Sequence, residues 1–321
     1  CSTHMVMKPI QPRCDSPRNW LCARLSSPGK KRSRTMVSAD EARKGLLVFF
    51  ALVALGSGVF QGLLLRSGRP IGESPWLVYA LMGTPALASI VARLVFREGF
   101  RDVSFRIGGA AGWRAIGLAW LLPVVVGALA YGVAWGTGLA SFEVRLLSRL
   151  GLASFAPPLR FALLLGLALT LVTLLSLLSA AGEEIGWRGY LLTRLVEAEV
   201  PRPVLVSALL WGAWHLPLVL SGQYAAGENR VLSAAVFLAT VVGIGFVIAW
   251  MRLSTGSVWP AVVLHGAWNA TIQGAFDTST KEPSIWVGEA GLLVAATSVA
   301  VAWFLVRKGF DARRVPGEEP F

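Results

Sequence analysis

Residues 161–194 read FALLLGLALTLVTLLSLLSAAGEEIGWRGYLLTR. Residues 161–182 contain no ionisable side chain, and then Glu183, Glu184 and Arg188 arrive within six positions. About 20 apolar residues are enough to cross a ~30 Å hydrocarbon core as a helix. The stretch therefore reads as a transmembrane helix. A charge near the bilayer centre costs at least a few kcal/mol, so ionisable residues within spans face a polar interior and mark function. The question is what the two glutamates and the arginine do, and which other residues join them.

Composition supports a membrane solvent. Of 321 residues, 55% are hydrophobic and only 15% charged, with a mean hydropathy of +0.60. Soluble domains carry about 25% charged residues. Thirteen tryptophans suit a chain with two membrane–water interfaces, where indole rings collect. The net charge of +12 lies in an N-terminal basic segment and in short loops between apolar spans, not along one amphipathic face. That pattern is positive-inside topology, so no nucleic-acid partner is expected. Cys1, Cys14 and Cys22 all lie in the first 22 residues, so neither a disulfide framework nor a cysteine metal site is indicated.

Residues 1–44, with the basic cluster GKKRSR at 29–34, are too rich in Pro, Ser, Arg and Lys to bury a core and are expected to be a disordered tail. They lack the apolar stretch of a secretory signal. Met36 opens a more typical start, MVSADEARKGLLVFF, so residues 1–35 read as a mis-called start, a processed segment or a basic tail. A transmembrane domain is expected over 45–306, and a C-terminal tail over 307–321. Eight apolar segments fall at 45–65, 75–95, 113–137, 161–194, 204–221, 231–251, 256–275 and 285–306. The fold class is thus all-α, a polytopic integral membrane protein of about eight transmembrane helices. The linkers FREGFRDVSFRIGG and SFEVRLLSRLGLASFAPP are expected to be interfacial amphipathic segments. Arginines such as Arg93, Arg97, Arg101, Arg194, Arg202, Arg252 and Arg307 gather on one side, which predicts both termini in the cytoplasm.

Apart from His4, the histidines are His215 and His265, both inside apolar spans. At 1.5 Å per residue, Glu183, His215 and His265 each lie about 14–16 Å from the same membrane face. Three spans thus place polar groups at one depth. Asn269, four residues after His265, shares its helix face. A carboxylate beside an imidazole can hold and deprotonate a water. A second imidazole with an amide can donate hydrogen bonds to a developing oxyanion. No GxSxG elbow occurs and no cysteine lies in the membrane body, so a covalent nucleophile is not supported. The metal alternative is a zinc site made of Glu183, His215 and His265, but HExxH is absent and no resident cofactor is expected.

Structural roles compete for some of these residues. Glu184 and Arg188, spaced i to i+4, form an ion pair that supports the helix, and Arg188 is assigned to that support. Glu184 keeps a place in the candidate catalytic set with Glu183, His215, His265 and Asn269. Trp211, Trp214 and Trp268 read as packing or interface residues, and Arg93 as a snorkelling one.

The set resembles the CPBP family of intramembrane proteases, which includes the CAAX prenyl endopeptidases and the bacteriocin-processing and self-immunity proteins. EExxxR stands here as Glu183, Glu184 and Arg188; the aromatic-xxx-His motif as Trp211 to His215, with Trp where the family usually has Phe; HxxxN as His265 to Asn269. The resemblance covers about residues 160–275. It implies water activation by Glu183 and His215, and an oxyanion site of His265 and Asn269. It further implies an intramembrane endopeptidase acting near the C-terminus of a membrane-embedded or lipidated protein. The Arg-, Ala- and Gly-rich chain looks bacterial, which places it in a bacterial inner or plasma membrane. A non-catalytic scaffold or self-immunity protein, using the same polar cavity for binding, is the alternative. A proton-coupled transporter is a further one, disfavoured because the spans show no paired inverted halves.

Overall fold

A computed structural model describes residues 37–147, 151–225, 227–281 and 284–307. The expectations for residues 1–36 and 308–321 lie outside the described residues. The described chain is all-α, as expected. Helix α1 (Ala39–Ser67), α2 (Pro75–Phe96), α3 (Gly109–Thr137), α4 (Pro157–Glu197), α5 (Pro203–Ser221) and α6 (Arg230–Thr255) are each long and apolar enough to cross a membrane. Helix α7 (Trp259–Trp268) continues without a break as a π-helix over Asn269–Phe276. The last, α8, spans Leu292–Arg307, later than the expected start at 285 because 285–291 form turns.

Helix α1 begins at Ala39, ahead of the first apolar segment expected from residue 45. The cause is local: the Ser38 hydroxyl accepts from the Glu41 amide while the Glu41 carboxylate accepts from the Ser38 amide. This reciprocal cap satisfies two orphan donors at a helix start.

The bundle is arranged around α6. Three-fifths of its apolar window is buried within the protein (61%), against 17% for α4. Helix α6 packs against α5, α7 and α8, whereas α4 packs against α2 and α7 and turns Leu171, Leu174 and Leu178 outward. In a bilayer an outward leucine is in its preferred solvent, so helix association rests on close packing. The α2–α4 contact shows this. A Cβ on Gly182 would come within 2.8 Å of the Met82 carbonyl oxygen, and one on Gly186 within 2.4 Å of Pro85. Gly182 and Gly186 form a small-xxx-small pair, and they flank the glutamates.

The first linker differs from the amphipathic segment expected of it. Residues 97–108 form turns and bends, and Glu98 and Asp102 fold inward as acceptors for buried arginines. Arg93 is buried, not snorkelling: it donates to the Gly99 carbonyl at 2.8 Å, the Gly189 carbonyl at 2.9 Å and the Asp102 carboxylate. Arg194 pairs with Glu98 at 2.7 Å and Asp102 at 2.9 Å. Arg93 and Arg194, which sequence counts as loop or interface charge, tie the ends of α2, α4 and α6 together with Arg252 instead. The described part of the second linker pairs with the segment after α7, through Glu143 N–H to Ser279 O (2.8 Å) and Lys281 N–H to Ser141 O (3.0 Å).

Candidate active site

Helix α4 continues past the glutamates to Glu197, and a π-helical turn over Trp187–Leu191 follows them directly. A second π segment begins at Asn269. Such insertions widen the helix and recur at functional sites. The turn at Trp187–Leu191 and the segment from Asn269 each abut a polar motif, whereas a further π turn in α4, over Ala168–Val172, does not.

Glu183, Glu184 and Arg188 are buried, at 1%, 0% and 0% exposure. Glu184 Oε1 accepts from Arg188 Nη1 at 2.9 Å, as the i to i+4 spacing predicts. The same oxygen accepts from His265 Nδ1, also at 2.9 Å. Glu184 is therefore more than Arg188's counter-ion; it crosses from α4 to α7 and orients an imidazole. Since a carboxylate can only accept, Nδ1 of His265 carries the proton and Nε2 is the free ring position.

Glu183 turns to another helix. Its Oε2 accepts from the Trp211 indole N–H at 2.7 Å. His215 Nδ1 donates to the Trp211 carbonyl at 2.8 Å, which assigns the Nδ1–H tautomer and leaves Nε2 with a lone pair. Glu183 and His215 are thus linked through Trp211 and share no direct hydrogen bond. Trp211 also lies under the Arg188 guanidinium, 4.1 Å from carbon to ring centroid, and its ring edge meets those of His215 (5.7 Å) and His265 (5.4 Å). The packing role expected of Trp211 is incomplete: it touches every charged or imidazole group of the cluster but Glu184.

These side chains line or abut one cavity of ≈ 20 Å³, walled by Trp211, His215, His265, Asn269, Glu289 and the apolar face of α6. A volume of that order holds about one water molecule. Asn269 Oδ1 accepts from Gln273 Nε2 at 3.3 Å, which leaves the Asn269 amide N–H groups as its free donors. Among the described residues, no group of three or more His, Cys, Asp or Glu side chains is placed to hold a metal ion. These hydrogen bonds engage one oxygen of Glu183 and the Nδ1 atoms of His215 and His265, leaving the second oxygen and both Nε2 positions open, and no step below passes through a metal.

Glu289 and Tyr224 were not singled out by sequence. Glu289 lies in the turn before α8 and accepts from Trp268 Nε1 at 2.7 Å and from the Tyr224 hydroxyl. A signal existed, because Glu289 falls inside the apolar segment 285–306 and is ionisable. Its distance in sequence from the three motifs hid it.

Known proteins resemble one segment of the chain. Residues 165–271 match the family model described as type II CAAX prenyl endopeptidase, Rce1-like. A stretch of 99 residues is 30% identical to the protein named CAAX prenyl protease 2 of Methanococcus maripaludis, covering 29% of this chain and 36% of that relative. The match thus spans about a third of each protein. The resemblance carried by the three motifs holds over that segment, and all of Glu183, Glu184, Arg188, His215, His265 and Asn269 fall within it.

Proposed function

We propose that this multi-pass membrane protein is an intramembrane endopeptidase of the CAAX-protease type, acting near the C-terminus of a membrane-associated protein substrate. The observation that carries the reading is the convergence of three helices' polar groups: His215 from α5 with His265 and Asn269 from α7 line a single water-sized cavity, and Glu183 and Glu184 from α4 are hydrogen-bonded to its walls at Trp211 and His265.

The chemistry follows from the hydrogen-bond directions. A water between Glu183 and the lone pair on His215 Nε2 loses a proton to this pair as its oxygen attacks the scissile carbonyl. The carbonyl oxygen, now an oxyanion, is met by the Asn269 amide N–H and by His265 Nε2–H. Because Nδ1 of His265 already donates to Glu184, donation from Nε2 requires an imidazolium. Charge balance supports that form: two carboxylates face one arginine, and a cationic His265 closes the deficit in a low-dielectric site. The tetrahedral intermediate then collapses, the C–N bond breaks, and the proton taken from water leaves on the amine. Trp211 holds one oxygen of Glu183, so the other is the one presented to water.

The substrate reading rests on what the matched family and the relative are called; a lipidated or membrane-embedded tail in a bacterial plasma membrane fits it. Cytoplasmic termini and the absence of a resident metal belong to the same proposal. The test compares C-terminal peptides of membrane proteins from cells carrying the wild-type chain or Glu183→Ala. Tails retained only with Glu183→Ala are the expected result, and His215→Ala and His265→Ala should reproduce it while still inserting. Normal turnover by purified Glu183→Ala would sink the reading. Activity kept by Glu183→Gln would point instead to a scaffold that binds without cleaving. Cleavage that survives chelation, with no metal found in the purified protein, is expected on the metal-free assignment.

A further inference from the structure

Glu289 is a buried carboxylate that the mechanism above leaves unused, and it lies outside the segment shared with the matched family. It lines the same cavity as His215, His265 and Asn269. Its two oxygens reach two different walls. Oε1 accepts from the indole of Trp268, on α7 between His265 and Asn269, at 2.7 Å. Oε2 accepts from the hydroxyl of Tyr224, in the loop that follows α5.

Tyr224 passes the contact on in two directions. Its ring lies against the His215 imidazole, with centroids 6.0 Å apart and planes 32° from parallel, and against Phe237 of α6 at 5.6 Å. Its hydroxyl accepts from Gln273 Nε2 at 3.3 Å, and the same Nε2 donates to Asn269 Oδ1 at 3.3 Å. One carboxylate therefore stands behind both His215 and Asn269. The turn that carries it is itself tied down, since Gly288 N–H donates to the Tyr131 hydroxyl at 2.9 Å and Leu292 N–H to the Ile285 carbonyl at 2.9 Å.

A buried carboxylate with two donors from separate elements acts as a clamp. Each charge-assisted bond is about twice as strong as a neutral one, and removing the acceptor leaves two buried donors unsatisfied. We propose that Glu289 is a positioning residue: through Tyr224 and Gln273 it sets the His215 ring and the Asn269 amide that face the cavity. The proposal rests on the proteolytic reading for its kinetic consequence but not for its structural one.

The test therefore has two readouts. Purified full-length protein in detergent, well below the unfolding temperature of each variant, is treated with diethyl pyrocarbonate, and modification of His215 is followed by mass spectrometry. In Glu289→Leu the ring loses its backing, and His215 should react several-fold faster than in the wild type, with Glu289→Gln restoring most of the protection. Equal His215 reactivity in wild type and Glu289→Leu would overturn the proposal, whether or not the protein cleaves anything. On a substrate identified by the Glu183→Ala comparison, kcat of Glu289→Leu should fall about tenfold with KM little changed, as expected when catalytic groups are misplaced but the binding surface is intact. An unchanged kcat, or a rise in KM alone, would also overturn it. Absence of any Glu183-dependent cleavage would instead defeat the proteolytic reading and leave the reactivity readout to decide this one.

Discussion

Trp211 stands where packing alone would accept any aromatic ring. A phenyl ring could fill the space under Arg188, but it could not donate to Glu183 as the indole does at 2.7 Å. Hydrogen bonds to charged groups contribute about 1.5–3 kcal/mol. Part of that is felt in the transition state, so Trp211→Phe should lower kcat by about tenfold while leaving insertion and folding intact. Steady-state kinetics checks this, and full activity would mean that the indole N–H has no part in holding Glu183. Arg93 offers a second test at this scale. If it merely snorkelled, Arg93→Ala would behave like Arg66→Ala, at an exposed helix end. Because Arg93 makes buried bonds to Gly99, Asp102 and Gly189, its removal should cost about 3 kcal/mol and lower the unfolding temperature by several degrees. Equal melting of the two variants in detergent would refute that.

At the scale of the element, the position of Glu183 and Glu184 depends on how closely α4 can approach α2. Gly182 and Gly186 allow that approach, and a side chain at 186 would collide with the Pro85 backbone. Gly186→Val should therefore destabilise the protein by about 1–3 kcal/mol, the usual cost of overpacking, and displace the glutamates with it. Thermal unfolding together with cleavage measures both effects; a variant with wild-type melting would show that the contact can relax. The π-helical turns at Trp187–Leu191 and Asn269–Phe276 have no such sequence signal. They add a residue to a turn where neighbouring helices demand it, and a local apolar period does not record that demand.

For the whole molecule, α6 provides the wall around which α5, α7 and α8 are set, so the cavity is a property of the bundle and not of any motif-bearing helix. The turn before α8, outside the family match, completes it with Glu289. Topology belongs to this scale too. Eight crossings would return the chain to its starting side, and reporter fusions after α8 and before α1 should both read as cytoplasmic; opposite readings would mean that α8, at 16 residues, does not cross.

Much of this was legible from sequence alone. Apolar length identified the membrane helices, because a hydrocarbon solvent tolerates no exposed backbone and few charges. The cost of buried charge singled out Glu183, Glu184, Arg188, His215 and His265, the spacing from His265 added Asn269, and helical rise put Glu183, His215 and His265 at one depth. Depth is a one-dimensional quantity, which is why spacing could supply it. Direction around the helix axis is not. Which helix each side chain faces came only from the packed bundle: Glu184 reaching His265, Glu183 reaching Trp211 and not His215, and Glu289 closing the far wall. These contacts join residues between 21 and 81 positions apart. They exist because interhelical packing, set by small residues such as Gly186 and by buried arginines, chooses each helix's rotation, and no local pattern encodes that choice.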